Sequence, residues 1–266
     1  MSKTFNYPNN PLGWQASPKD FTGDNVLGIY AVETTKRFVP GTRYTTWDGR
    51  EYRYARSTGA AQLYAAHGCQ FSGTGYTAIT TFGVAASIGD TGITIPAATH
   101  AALAEDELAG GYVIIFDGAS DYYTTTRMIV GNEAAAANAA FTVTLDAPLS
   151  YAITAATSKC ETYTNPWNDI IVANNDALAF AGVPAASVSA AAQYFWVQTK
   201  GIAWVAPQAG VGLRSGLGVT WRHDGSIDDV DTSFGVTVPA GSTSQFAGYC
   251  VEGSQAGNGP LIMLQG

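Results

Sequence analysis

Asp48-Gly49 stands between two alternating runs, Arg43-Tyr44-Thr45-Thr46-Trp47 and Arg50-Glu51-Tyr52-Arg53-Tyr54. Asp-Gly in that setting is a strong hairpin signal, because a two-residue type I′ turn needs positive φ at both central residues. The turn predicts the pairs Trp47–Arg50, Thr45–Tyr52 and Arg43–Tyr54 on one face, with cation–π contacts among them. A lone hairpin is marginal in water and needs further strands to cover it. The rest of the chain supplies them. Ile93-Thr94-Ile95 ends at Pro96, and Tyr112 to Phe116 reads as a buried strand before an Asp117-Gly118 turn. Tyr122 to Val130, Phe141 to Leu145, Asp169 to Val172 and the long run Gln193 to Ala206 follow, with Gly201 as a bend in the last. Val211 to Trp221, Thr232 to Val238, Phe246 to Val251 and Pro260 to Leu264 complete the series. Short strands with Gly-rich turns predict an all-β fold: a sandwich or barrel of many short antiparallel strands.

Three segments read less simply. Leu27 to Thr34 is a candidate first strand. Ala60 to His67 has the composition of a short helix, with Gly68 as its stop. Ala97 to Ala109 is also helix-forming in composition, although Glu105-Asp106-Glu107 sit poorly near a helix C-terminus. Ahead of them, Pro8, Pro11 and Pro18 keep residues 1–25 extended, and Phe5, Tyr7, Trp14 and Phe21 give that arm apolar anchors. The expected organisation is an extended N-terminal arm and first strand over 1–40 and a β-rich body over 41–266, any subdivision falling near 160–190.

Charged residues are only 13% of the chain, about half the usual share, while aromatics are 12%. Abundant Ala, Gly, Ser and Thr suit a surface that packs against neighbours, where charge would have to be desolvated. The net charge is −8. It divides as 8 − 5 = +3 over residues 1–60 and 5 − 16 = −11 over the remainder. An acidic body argues against direct nucleic-acid binding, which needs a basic footprint. Cys69, Cys160 and Cys250 are widely spaced, with no CxxC, and read as buried free thiols of a protein folded in reducing cytoplasm. Met1 to Pro8 lacks a signal-peptide core, and the apolar runs are too short to span a bilayer, so no membrane association is expected.

No motif for catalysis, metal or cofactor emerges. His67, His100 and His223 stand alone, without HxH or HExxH spacing. Gly73-x-Gly75 and Gly210-x-Gly212 are incomplete as dinucleotide loops. Asp224-x-Ser226-x-Asp228 resembles a calcium loop but lacks the glycine at position six, and Gly235 occupies position twelve. It reads as a solvated acidic loop. Asp48, Glu51 and Asp224 lie near tryptophans, as paired carboxylates of a glycosidase would, yet Asp48 is explained by its turn and Glu51 by its strand. The chain is therefore expected to be no enzyme, with no cofactor and no catalytic or metal residues.

One order of motifs is more specific. Trp47-Asp48-Gly49-Arg50-x-Tyr52-x-Tyr54 is followed by Leu145-Asp146-Ala147-Pro148-Leu149, Ala152-Ile153, Ser158-Lys159, Asn165-Pro166-Trp167 and Gly182-Val183-Pro184. Then comes Gln193-Tyr194-Phe195-Trp196-Val197-Gln198-Thr199-Lys200-Gly201. This series resembles the head decoration, or cement, proteins of tailed bacteriophages, loosely from Val26 to Leu264. The resemblance implies a structural virion protein on the outer capsid surface, assembled in the host cytoplasm, that binds the major capsid protein and stabilises the shell. It also implies a homo-oligomer, expected as a trimer because icosahedral shells offer threefold positions. A receptor- or carbohydrate-binding fibre or spike is the alternative, though no repeats or heptads are visible. Capsid contacts are expected from Phe5, Tyr7, Trp14, Phe21, Lys36 and Arg37. Core or oligomer packing is expected from Trp47, Tyr52, Tyr54, Trp167, Tyr194 and Trp196, with Trp47 and Trp196 each at least half buried.

Overall fold

The structure is a computed structural model and describes residues 28–59, 61–73, 75–116, 124–175, 177–208, 216, 218–229, 242–253 and 259–266. The fold is all-β, built of two curled antiparallel sheets that form half-barrels. Three strands come first: β1 (Arg43–Thr45), β2 (Glu51–Arg56) and β3 (Cys69–Phe71). Six more follow: β4 (Thr80–Thr81), β5 (Gly92–Ile95), β6 (Tyr112–Phe116), β7 (Thr125–Asn132), β8 (Phe141–Leu145) and β9 (Lys159–Tyr163). After a 3-10 turn at Pro166–Asn168 come β10 (Ile170–Val172), β11 (Phe180–Pro184) and β12 (Tyr194–Trp204). The chain closes with β13 (Gly218–Arg222), β14 (Ile227–Asp229), β15 (Ser242–Glu252) and β16 (Leu261–Leu264). No helix among the described residues is long and apolar enough to cross a membrane.

The middle six strands form their own sheet, in the order β4-β9-β6-β7-β8-β5. Their alternation points Ile93, Ile95, Val113, Ile115, Ile129, Val143 and Leu145 into one core, closed by Phe82, Leu108 and Phe141. This lobe is an insertion. The chain leaves the larger sheet at β3 and returns at β10, and those two strands pair, with Phe71 opposite Ile170 and Cys69 opposite Val172. The larger sheet runs β10-β3-β11-β12-β16-β15-β13-β14, with β1 and β2 joined through β12.

The long strand β12 organises this larger sheet. Its first half lies between β2 and β11, and its second half pairs with β16. The change of neighbour falls at a bulge between Gln198 and Lys200, just before Gly201 at φ +91°. A Cβ on Gly201 would stand 2.9 Å from the Arg50 Cα, so the close approach and the left-handed backbone both require glycine there.

The hairpin forms with a different register from the predicted one. Arg43 pairs with Arg53, Tyr44 with Tyr52 and Thr45 with Glu51. The loop is therefore Trp47-Asp48-Gly49, three residues closed by Thr46 N–H to the Arg50 carbonyl at 2.9 Å. Gly49 at φ +84° takes the left-handed position of a three-residue loop. The one-residue slip places Tyr52 and Tyr54 inward instead of beside Thr45 and Arg43. The arginines instead lie over other rings, Arg50 at 5.8 Å from Tyr52 and Arg53 at 6.0 Å from Trp167.

The described part of Leu27 to Thr34 makes a turn and one bridge, Glu33 to Tyr194, rather than a strand. Residues 61–67 are not helical, because Leu63 is drawn into a bridge with Val188 and buried. Ala97 to Ala109 is not a helix either. Leu103 bridges Ala135, and His100 is held between the carbonyls of Ala101 and Ala139 at 2.6 and 2.8 Å. Tertiary contacts outweigh the helix propensity of alanine at these places. Thr232 to Val238 and the Asp117-Gly118 turn lie outside the described residues.

All three cysteines are buried and free. Burial pushes the Cys160 thiol up to about 12 and raises those of Cys69 and Cys250 as well. A thiolate is the reactive form, so an aromatic disulfide reagent at pH 8 is expected to label no cysteine in the native protein and three after denaturation. Rapid labelling of even one native thiol would contradict this packing.

Candidate functional site: an aromatic layer and the outward sheet faces

Tyr52, Tyr54 and Trp196 point inward from β2 and β12 and meet Ile29 and Phe38. Phe38 stands edge-on to Tyr54 at 5.1 Å, and Trp196 lies 5.2 Å from Tyr54. Tyr194 stacks on Tyr54 at 5.6 Å, with 7° between the rings. Burial pushes the Tyr52 and Tyr54 hydroxyls up to about 12. Tyr52, Tyr54 and Trp196 are thus core residues, while Tyr194 and Trp167 are half-buried. Trp47 differs: at the hairpin tip it is 59% exposed, so it is no part of this chain's own core.

Below that tip, Asp48 accepts from Arg50 Nε at 2.7 Å and from Thr46. Partial burial alone would raise the Asp48 carboxyl, but these hydrogen bonds and the Arg50 charge hold it below the usual range. Glu51 pairs with Arg43 at 3.5 Å. Both carboxylates serve the hairpin that carries them.

Among the predicted contact residues, Arg37 is engaged locally, its Nε 2.9 Å from Glu33 and its backbone N–H donating to the Tyr54 hydroxyl at 3.1 Å. Lys36 beside it is exposed. Phe5, Tyr7, Trp14 and Phe21 lie outside the described residues.

The acidic segment after β13 is a hairpin turn rather than a solvated loop. Asp224 accepts from the Ser226 N–H and hydroxyl at 3.0 and 2.6 Å. Asp228 points into the protein, 3.3 Å from Arg222, and both are buried. The turn needs that geometry because Gly68 packs beneath it: its N–H donates to the Gly225 carbonyl, and a Cβ there would strike Trp221. Among the described residues no three His, Cys, Asp or Glu side chains gather to hold a metal.

The most distinctive surface is the outward side of β12, β16 and β15. Cross-strand register sets Ile202 beside Met263 and Met263 beside Tyr249, with Trp204 opposite Leu261 in the next row. Ala203, Ile262 and Cys250, one residue along each strand, face the core. Phe246 joins the outer side because the ladder shifts beside Gly248, whose φ is +149°. Its ring meets that of Tyr249 edge-on at 5.1 Å. Trp204 is 48% exposed and Tyr249 47%. The exposed parts of these side chains amount to roughly 500 Å², the size of apolar patch that marks an interaction surface. Lys200 and Glu252 flank it at opposite corners. The inserted lobe has a smaller counterpart, where Tyr112 pairs with Met128 on one side and Tyr163 on the other.

The β12 half of this face was open to sequence reading, since Ile202 and Trp204 alternate within an expected strand. Phe246 and Tyr249 were not, because a spacing of three breaks the period of two unless the bulge at Gly248 is known.

Compared with known proteins, the chain matches no family model, no curated protein and no solved structure.

Proposed function

We propose that this chain is a structural protein of a virion, a head decoration protein that coats the outside of a tailed-phage capsid and stabilises it. The observation that carries the reading is the outward face of β12, β16 and β15, where large apolar side chains stand in register and the charges, Lys200 and Glu252, lie at its edges. Such a face belongs to a protein that works by packing against others. The order of motifs from Trp47 to Gly201 supports the same role, as do the low charge and the net charge of −8, which a negatively charged genome would repel. In this reading the chain assembles as a trimer, and its partners are the major capsid protein and further copies of itself.

The test is to mix the purified protein with undecorated shells of its particle and image them by electron microscopy. Added density on the outer surface at regular positions is expected. Bare shells, or binding to a glycan array instead, would overturn the reading.

The grip on the shell is assigned to the arm. Lys3, Lys19, Lys36 and Arg37 are opposed only by Asp20, Asp24 and Glu33 over residues 1–40, and Phe5, Tyr7, Trp14 and Phe21 lie among them. Prolines restrict the free chain and lower the entropy lost on docking. Three arms on one trimer add avidity through effective concentration. Deleting residues 1–25 is expected to leave a folded protein that no longer decorates shells. Salt is expected to weaken binding of the intact protein only modestly, because the anchors are mainly apolar. A truncated protein that binds with unchanged affinity would move the contact to the β body.

A further inference from the structure

We propose that the outward face of β12, β16 and β15 is where one copy of this chain packs against another. The proposal rests on the self-association part of the reading above, taken as a two-fold pairing of like faces rather than a threefold ring, and not on attachment to a shell. Three observations favour a second copy over another occupant.

The first is size. Roughly 500 Å² of exposed side chain on each copy gives about 1,000 Å² in a pair, the lower bound of a specific interface before the rim is counted.

The second is charge. The chain is acidic overall, so a face-to-face contact between copies is permitted only where carboxylates are absent. The row Ile202–Met263–Tyr249 meets that condition, and the row Trp204–Leu261 meets it up to its end at Glu252. At the rim, Lys200 and Glu252 supply one charge of each sign. A partner recognised by charge would need a face of one sign. A second copy brings the same two charges and can match each with its opposite.

The third is order. Sheets pack face to face on sheets, and the aromatic anchors here are already placed. Phe246 and Tyr249 hold one another edge-on. The Trp204 indole lies across Gly259, where any Cβ would overlap its Nε1. Anchors that do not have to be ordered on contact lose little entropy.

Sedimentation of the full chain in solution, with no shells present, tests the contact. The wild type is expected to sediment as an oligomer, and Trp204→Glu and Tyr249→Glu as single chains that keep the wild-type far-ultraviolet circular dichroism spectrum. Ile88→Glu, in an exposed turn of the inserted lobe, serves as the control and should match the wild type. Lys200→Glu is expected to weaken association at least tenfold, and adding Glu252→Lys in the same chain should restore it. That rescue cannot come from a variant that fails to fold. A wild type that remains a single chain at high micromolar concentration overturns the proposal. So do face variants that keep the wild-type mass, or a charge swap that restores nothing. If the wild type is an oligomer through this face but leaves undecorated shells bare, the decoration reading falls and the contact stands.

Discussion

Gly248→Val is expected to cost about 4 kcal/mol or more, a size reserved for a few severe mechanisms. The cause is local and steric. Gly248 has φ +149°, and a Cβ there would lie 2.0 Å from the Met263 carbonyl oxygen across the β15–β16 ladder. That oxygen belongs to backbone and has no rotamer to escape into. The sheet would have to open at the strand pair whose inner side chains, Cys250, Ile262 and Leu264, help close the core. A domain has about 5–15 kcal/mol in total, so the melting temperature should fall by roughly 10 °C or more. Gly89→Ala is the comparison. Gly89 also has positive φ, +95°, but nothing lies within 4 Å of its added Cβ, leaving only the backbone penalty of about 1 kcal/mol. Equal melting temperatures for the two variants would mean that β15 and β16 do not approach as described.

Ile129→Ala is expected to unfold one lobe ahead of the other. Ile129 is fully buried in the inserted core, and removing its side chain should cost about 2–5 kcal/mol. The six tryptophans are Trp14, Trp47, Trp167, Trp196, Trp204 and Trp221, and none falls between residues 75 and 163. Indole emission therefore reports on the rest of the chain and is blind to the insertion. In urea, far-ultraviolet circular dichroism of the variant should show an early partial transition while the tryptophan midpoint stays at its wild-type value. Two probes that shift together would show the sheets unfolding as one cooperative unit.

The sequence was legible where alternation was unbroken. Ile93 to Ile95, Tyr112 to Phe116 and Phe141 to Leu145 became strands at the expected places, because period-two burial is a local property. The hairpin was legible as a hairpin but not in register. Asp-Gly suits both a two-residue loop and the end of a three-residue one, and only burial of Tyr52 and Tyr54 against Trp196 decides between them. The alanine-rich segments misled because their conformation is set by distant partners, Val188 for Leu63 and Ala135 for Leu103. The candidate interface was half hidden for a similar reason. Its aromatics on β15 are brought to one side by a bulge, and a bulge is a property of two strands together.

The insertion has a consequence for how such a protein can change. Its two ends sit side by side: Ser72 N–H donates to the Asp169 carbonyl at 2.9 Å, and the strands just outside them form one ladder. A segment tethered at two adjacent points asks little of its host beyond that spacing and the contacts of its last turn, Asn165 with the Pro40 carbonyl and Trp167 with Arg53. It can be lengthened, exchanged for another module with neighbouring termini, or replaced by a short turn, while the larger sheet keeps its pairing. The inserted lobe is thus a cassette, free to diversify while the sheet that carries it stays the same.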